Sequence, residues 1–241
     1  MTPVTPTPGF DLLLFDLDGT LVETAPEICD AVNDTLLALQ LPPVTLERVC
    51  RWIGHGTREL LVQALASATR TAADAIRAAP SLGATVARFD HCYRARVGTR
   101  SRPYPQVREV LQSLREKGLL LAVVTNKEQR YTQAVLDAHQ LAPLFDRVVS
   151  GDSLATKKPH PAGVLACLEQ FRVSAQRALF VGDSSIDVAT ARNAGVAVWA
   201  VPYGYNMGEP IAACGPDRVL QDFSGLGAIR AAPGRGLQQA G

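Results

Sequence analysis

The chain has no surplus of charge: 24 lysines and arginines against 23 aspartates and glutamates leave a formal net charge of +1 at pH 7. That near-balance excludes a bulk field able to draw in nucleic acid or anionic lipid, so any affinity for phosphate must be built locally. A paired cysteine spacing is missing too. Cys29, Cys50, Cys92, Cys167 and Cys214 come no closer than the 21 positions between the first two. This leaves no thiol metal clip and no redox pair in sequence, and it suits reduced thiols in a reducing compartment. No apolar run reaches membrane-spanning length, and residues 1–9, rich in Thr and Pro, have neither the basic start nor the apolar centre of a signal peptide. These absences give the expectation of a cytoplasmic protein without nucleic-acid or membrane partners. Its 241 residues can bury a substantial core.

What is present is organised around Leu13 to Leu21. Leu13-Leu14-Phe15 is a short apolar run that ends in Asp16-Leu17-Asp18-Gly19-Thr20-Leu21, the pattern of a buried strand closed by a glycine turn. In an open α/β sheet ligands collect where strands end, which places both aspartates at the mouth of a site. Side chains two apart in extended chain point the same way, so Asp16 and Asp18 converge unless the backbone turns sharply between them. A hard cation such as Mg²⁺ relieves the repulsion between two such carboxylates and keeps coordination positions open for a phosphate.

From 24 to 100 the pattern is helical. Thr24-Ala25-Pro26-Glu27 reads as a capping box followed by Ile28, Val32, Leu36 and Leu39. Thr45 and Thr57 read as further helix caps, and Leu82, Val86, Phe89, Tyr93 and Val97 form another apolar stripe. Beyond Pro103, apolar runs at Leu119–Val124, Arg147–Val149, Ala178–Val181 and Val196–Val201 alternate with helical stretches. That alternation predicts a doubly wound parallel sheet. The expected organisation is therefore α/β, a Rossmann-like core over 10–23 and 101–229 with an inserted all-α helical cap over 24–100. Flexible ends are expected at 1–9 and 230–241.

Three of the apolar runs stop at polar groups: Asp16 and Asp18, then Thr125 and Asn126, then Asp183 with Asp187 nearby. Each alone suits a loop or a helix cap. Parallel strands deliver all their carboxyl ends to one edge, however, so these residues can meet. Lys157-Lys158-Pro159, in an intervening loop, adds positive charge.

This ordered set resembles the haloacid dehalogenase superfamily of phosphohydrolases over nearly the whole chain. Asp16-Leu17-Asp18-Gly19-Thr20 is similar to that family's first motif, Thr125-Asn126 to its second, Lys158-Pro159 to its third, and Gly182-Asp183-Ser184 with Asp187 to its fourth. The resemblance implies a nucleophile at Asp16 and an acid and base at Asp18. It also implies Mg²⁺ held by the Asp16 carboxylate, the Asp18 backbone carbonyl and Asp183, with Asp187 in support. Thr125, Asn126 and Lys158 would bind the phosphate, Thr125 and Lys158 also assisting catalysis. Lys158 is preferred to Lys157 because it directly precedes proline.

In such proteins the helical insertion closes over the site. The segment Trp52-Ile53-Gly54-His55-Gly56-Thr57-Arg58 and the late Pro202-Tyr203-Gly204-Tyr205-Asn206-Met207-Gly208 resemble those of bacterial phosphoglycolate phosphatases. That implies substrate contacts at Gly54, His55 and Gly56 and a small phosphorylated acid, 2-phosphoglycolate, as substrate. Two departures are visible: His160 stands where relatives often carry aspartate, and Ser185-Ile186 replaces a more polar pair. The same motifs would serve a phosphatase for a sugar phosphate or nucleotide, a phosphomutase, or a non-catalytic phosphate-binding regulator. A monomer or homodimer is expected.

Overall fold

Leu12, Leu13, Leu14 and Phe15 expose no surface to solvent, as befits a strand covered on both faces rather than on one. They form β1 (Leu12–Phe15) in a computed structural model that describes residues 9–231. Four more strands follow in the second half of the chain: β4 (Leu120–Val124), β5 (Arg147–Val149), β6 (Ala178–Gly182) and β7 (Ala197–Ala200). A two-residue β8 (Arg218–Val219) joins the edge, and no apolar run announced it. All pairings in this sheet are parallel, in the order β5-β4-β1-β6-β7-β8. This is the doubly wound α/β architecture.

The alternation along β1 shows how the layers are built. Leu13 and Phe15 pack with Val107, Leu111 and Leu114 of α6 (Val107–Glu116) and Val135 of α7 (Gln129–Ala138). Leu12 and Leu14 point to the other face, toward Val164 and Cys167 of α8 (Ala162–Phe171) and Val188 and Ala191 of α9 (Ser185–Ala194). Each fully buried leucine of this kind contributes ~1.5–3 kcal/mol.

Between β1 and β4 the chain leaves and returns through a short antiparallel pair, β2 (Val22–Glu23) and β3 (Arg102–Pro103). Held between them are α1 (Ala25–Ala38), α2 (Leu46–Trp52), α3 (Thr57–Thr69), α4 (Ala73–Ala78) and α5 (Leu82–Arg94). Ile28, Val32 and Leu36 of α1 join Leu60, Leu61, Leu82 and Phe89 in a core distinct from those of the sheet. α3 runs on to Thr69, and α4 follows with no buried residue.

Two expected helix caps are not made. The Thr24 hydroxyl donates to Asp18 Oδ1 at 2.6 Å instead of capping α1. Glu27, wholly buried, accepts from the backbone N–H groups of Gly98 (2.9 Å) and Ser101 (3.0 Å) and from the Tyr93 hydroxyl (3.4 Å). A buried carboxylate gains more from amides of the returning chain than from one at its own helix end. Thr57 is likewise the first helical residue of α3, after Gly56, and its hydroxyl donates to Glu128 Oε2 at 2.7 Å. Thr45 does cap α2, accepting from the Arg48 N–H. Of the ends expected to be flexible, residues 1–8 and 232–241 lie outside the described residues, whereas Phe10 bridges to Ala231 and donates to the Arg230 carbonyl.

Candidate active site

β1 and β6 are neighbours with Phe15 opposite Val181, so Asp16, one residue past β1, lies beside the end of β6, where Asp183 follows Gly182. Gly19, with φ +89, turns the chain immediately after Asp18, and the N–H groups of Leu21 and Val22 fold back onto the Leu17 carbonyl. The turn separates the two aspartates. The Asp16 carboxylate faces Asp183 and Asp187, with one ligand atom from each of the three lying within 4.8 Å of the others, whereas Asp18 turns toward Thr24 and Lys127.

Every arm of the acidic cluster is held. Lys158 Nζ stands 2.7 Å from Asp16 Oδ1 and 2.7 Å from Asp187 Oδ1. The other Asp187 oxygen accepts from the N–H groups of Asp183 (3.1 Å) and Ser184 (3.0 Å) and from the Ser184 hydroxyl (2.7 Å). Ser184 and Asp187 thereby complete the capping box that starts α9. Asp183 accepts from Thr20 Oγ1 at 2.6 Å and from the Tyr205 N–H at 2.5 Å. The glycines make this crowding feasible: a Cβ at Gly182 would strike Asp187, and one at Gly204 would strike Asp183.

Three buried carboxylates share one ammonium here, and their proton affinities reflect it. Burial raises Asp16 to about 6 against the opposing pull of Lys158. Asp183 is raised well above the usual carboxylate range by burial, then by Asp187 and Asp16. Burial alone would lower Lys158, but the Asp16 and Asp187 charges outweigh it and hold the ammonium above its ordinary value. An excess of buried negative charge with oxygen donors this close suits a hard divalent cation.

Thr125 and Asn126, buried at the end of β4, line the same pocket as Asp16, Asp18, Asp183 and Ser184. Gly54 and Gly56 also line it, together with Ile28, Ile53 and Leu60 from the helical segment. His55 is exposed and is not among the lining residues; its carbonyl accepts from Lys157 Nζ at 2.7 Å. Arg58 is exposed as well. Lys157 and Lys158 thus part company, one on the exposed turn and the other beneath the carboxylates.

Several lining residues carry no site role in the sequence reading, Lys127, Tyr93 and Tyr205 among them. Lys127, 6% exposed, donates to Asp18 Oδ1 at 3.0 Å and to the Tyr93 hydroxyl at 2.8 Å. Tyr93 comes from α5, and Tyr205 uses its hydroxyl to accept from the Ala25 N–H at 3.0 Å. Lys127 carries a signal, a lysine directly following the polar end of a buried strand, and Tyr205 lies in the late segment already noted for its resemblance; Tyr93 reads only as part of an apolar helical stripe.

Residues 13–201 match the model of the haloacid dehalogenase-like hydrolases. The chain is 41% identical over 217 residues to a phosphoglycolate phosphatase of Haemophilus influenzae (strain 86-028NP), covering 90% of this chain and 96% of that protein. A phosphoglycolate phosphatase of Pseudomonas putida is 37% identical over 230 residues, covering 95% and 83%. Among solved structures, a predicted phosphoglycolate phosphatase from Haemophilus somnus 129PT superposes with a TM-score of 0.84 at 36% identity, over 92% of this chain and 97% of that one. CbbY from Rhodobacter sphaeroides, in complex with phosphate, gives 0.74 at 26% identity over 90% and 96%.

Proposed function

Because this chain belongs to the haloacid dehalogenase-like hydrolase family, we propose that it hydrolyses phosphomonoesters through an aspartyl phosphate on Asp16, with 2-phosphoglycolate as substrate. The observation that carries this reading is the meeting of Asp16 and Asp183 at the ends of adjacent parallel strands, with Lys158 between Asp16 and Asp187.

In the first half-reaction an Asp16 carboxylate oxygen bonds to phosphorus, the bond from phosphorus to the ester oxygen breaks, and the leaving oxygen takes a proton from Asp18. Glycolate departs. In the second, Asp18 takes a proton from water, whose oxygen bonds to phosphorus and displaces the Asp16 carboxylate, releasing phosphate. Splitting one displacement into two lowers the barrier of each. Phosphoryl transfer depends chiefly on positioning and charge neutralisation, which falls to Lys158, Thr125 and the backbone N–H of Asn126 around the phosphate, the Asn126 side-chain amide being spent on the Gly54 and Lys158 carbonyls. Thr24 and Lys127 hold Asp18.

Asp16, Asp183 and the Asp18 backbone carbonyl would hold Mg²⁺, with Asp187 behind them, and the uncompensated carboxylate cluster fits such an ion. The cation supplies charge neutralisation at the phosphate oxygens. The helical segment serves as a cap over the pocket. Its contacts with the sheet domain support a closed arrangement: Asn126 Nδ2 to the Gly54 carbonyl at 2.9 Å, Thr57 to Glu128 at 2.7 Å, and Arg130 to Asp90 at 2.9 Å. Closure of this kind excludes water from the first half-reaction.

Turnover with Mg²⁺ across 2-phosphoglycolate, sugar phosphates, a nucleoside monophosphate and p-nitrophenyl phosphate tests the reading. The expected result is the highest kcat/KM on 2-phosphoglycolate. A panel led by a sugar phosphate overturns the substrate, and no turnover of any ester overturns the chemistry.

A further inference from the structure

Lys127 is the one cationic side chain among the described residues that line the pocket. Lys158 lies beneath it, committed to two carboxylates at 2.7 Å each. Lys127 has one carboxylate partner, Asp18, reached at 3.0 Å through one oxygen and at 3.3 Å through the other. Its remaining polar neighbour is uncharged: Tyr93 accepts from Nζ at 2.8 Å and passes its own hydroxyl hydrogen toward Glu27 at 3.4 Å. The same ammonium lies 4.9 Å from the centre of the Tyr93 ring. Buried among fixed neighbours, it has little freedom to swing out to solvent.

A phosphorylated acid brings two anionic ends into one pocket. The phosphate end is met by Lys158, Thr125, Asn126 and the cation that the carboxylate cluster would bind. The rest of the wall offers the apolar side chains of Ile28, Ile53 and Leu60, the carboxylate of Glu128, and neutral hydroxyls already engaged within the protein: Thr57 donates to Glu128, Tyr93 to Glu27 and Ser184 to Asp187, while Tyr205 accepts from the Ala25 N–H. Among the described residues that line the pocket, Lys127 alone brings a positive charge to a second negative group, and its 3.3 Å contact to Asp18 is the weaker of its bonds, open to exchange for a guest oxygen. We infer that Lys127 is the specificity-determining residue that reads the carboxylate of the substrate, so that the enzyme selects phosphomonoesters carrying an acid group next to the ester. This rests on the phosphatase reading and narrows it to a substrate class.

The test is a pair of substrates matched in size, 2-phosphoglycolate and 2-hydroxyethyl phosphate, which differ only in carboxylate against alcohol. The quantity read is the ratio of their kcat/KM values, because Lys127 also touches Asp18 and its loss will lower both rates. Wild-type protein is expected to favour the acid. Lys127→Met and Lys127→Gln should lower that ratio about ten-fold or more, mainly through KM for the acid, as expected for a lost charge-assisted contact. Lys127→Arg, which keeps the charge, should retain most of the preference and serves as the readout if the neutral variants do not fold. If both neutral variants keep the wild-type ratio while all rates fall, or if the arginine variant loses the preference as fully as they do, Lys127 only positions Asp18 and the inference is overturned. A wild-type enzyme that turns over both esters without favouring the acid overturns the substrate reading and this inference together, while leaving the hydrolytic chemistry intact.

Discussion

The side-chain amide of Asn126 donates to the Gly54 carbonyl oxygen at 2.9 Å, joining the end of β4 to the turn between α2 and α3. The same nitrogen donates to the Lys158 carbonyl, also at 2.9 Å. One residue thus ties the helical segment to the loop that carries the buried lysine.

Replacing Asn126 by alanine removes both bonds and leaves the buried Lys158 carbonyl short of a donor, at about 1–3 kcal/mol for an unsatisfied group. Steady-state kinetics on 2-phosphoglycolate should show kcat/KM reduced about ten-fold or more, accompanied by a lower melting temperature. A variant as active and as stable as the parent would show that this bridge carries no functional load.

Asp16→Asn keeps the shape of the side chain and removes its nucleophilicity. Turnover is expected to fall by about a thousand-fold or more, with circular dichroism unchanged. The amide also relieves a buried carboxylate that burial raises to about 6, so thermal stability without divalent cation should be equal to or above the parent's. Substantial residual hydrolysis would exclude the covalent route.

The direction of the pH dependence without divalent cation follows from that shift. A carboxyl whose folded pKa is raised binds its proton more tightly in the fold than in the unfolded chain. The stabilisation tied to the protonated Asp16 is therefore full below the ordinary value of 3.8 and is lost as pH climbs through about 6. A bound cation must displace those protons, so the rise in melting temperature on adding Mg²⁺ should be larger at neutral pH than near pH ~5. Asp183→Asn should abolish the rise. Thermal scans at the two pH values, with and without Mg²⁺, decide this, and an equal shift at both would contradict it.

Gly204 packs against Asp183 so closely that a Cβ would overlap its carboxylate. Gly204→Ala should displace Asp183, weaken Mg²⁺ activation about ten-fold or more, and cost about 1–3 kcal/mol of stability from overpacking. A Mg²⁺ titration of activity, read beside a denaturant melt, would detect both effects, and an unchanged half-saturating concentration would refute the displacement.

The sequence alone determined the layered parallel sheet and the strand-end positions of Asp16, Thr125 and Asp183, because continuous apolar runs specify buried strands and parallel strands gather their ends on one edge; Lys158, in a loop, was legible only through the family resemblance. The sequence could not tell which partner each side chain takes. A local rule pairs Thr24 with Glu27, yet in the fold Glu27 holds Gly98 and Ser101 while Thr24 holds Asp18. Spacing likewise groups Asp16 with Asp18, whereas the turn at Gly19 sends Asp18 to Lys127, 109 positions away. Such choices belong to tertiary structure. A buried charge must find its counter-charge or donor among whatever groups packing brings within about 3 Å, and that competition is decided by residues far apart in sequence.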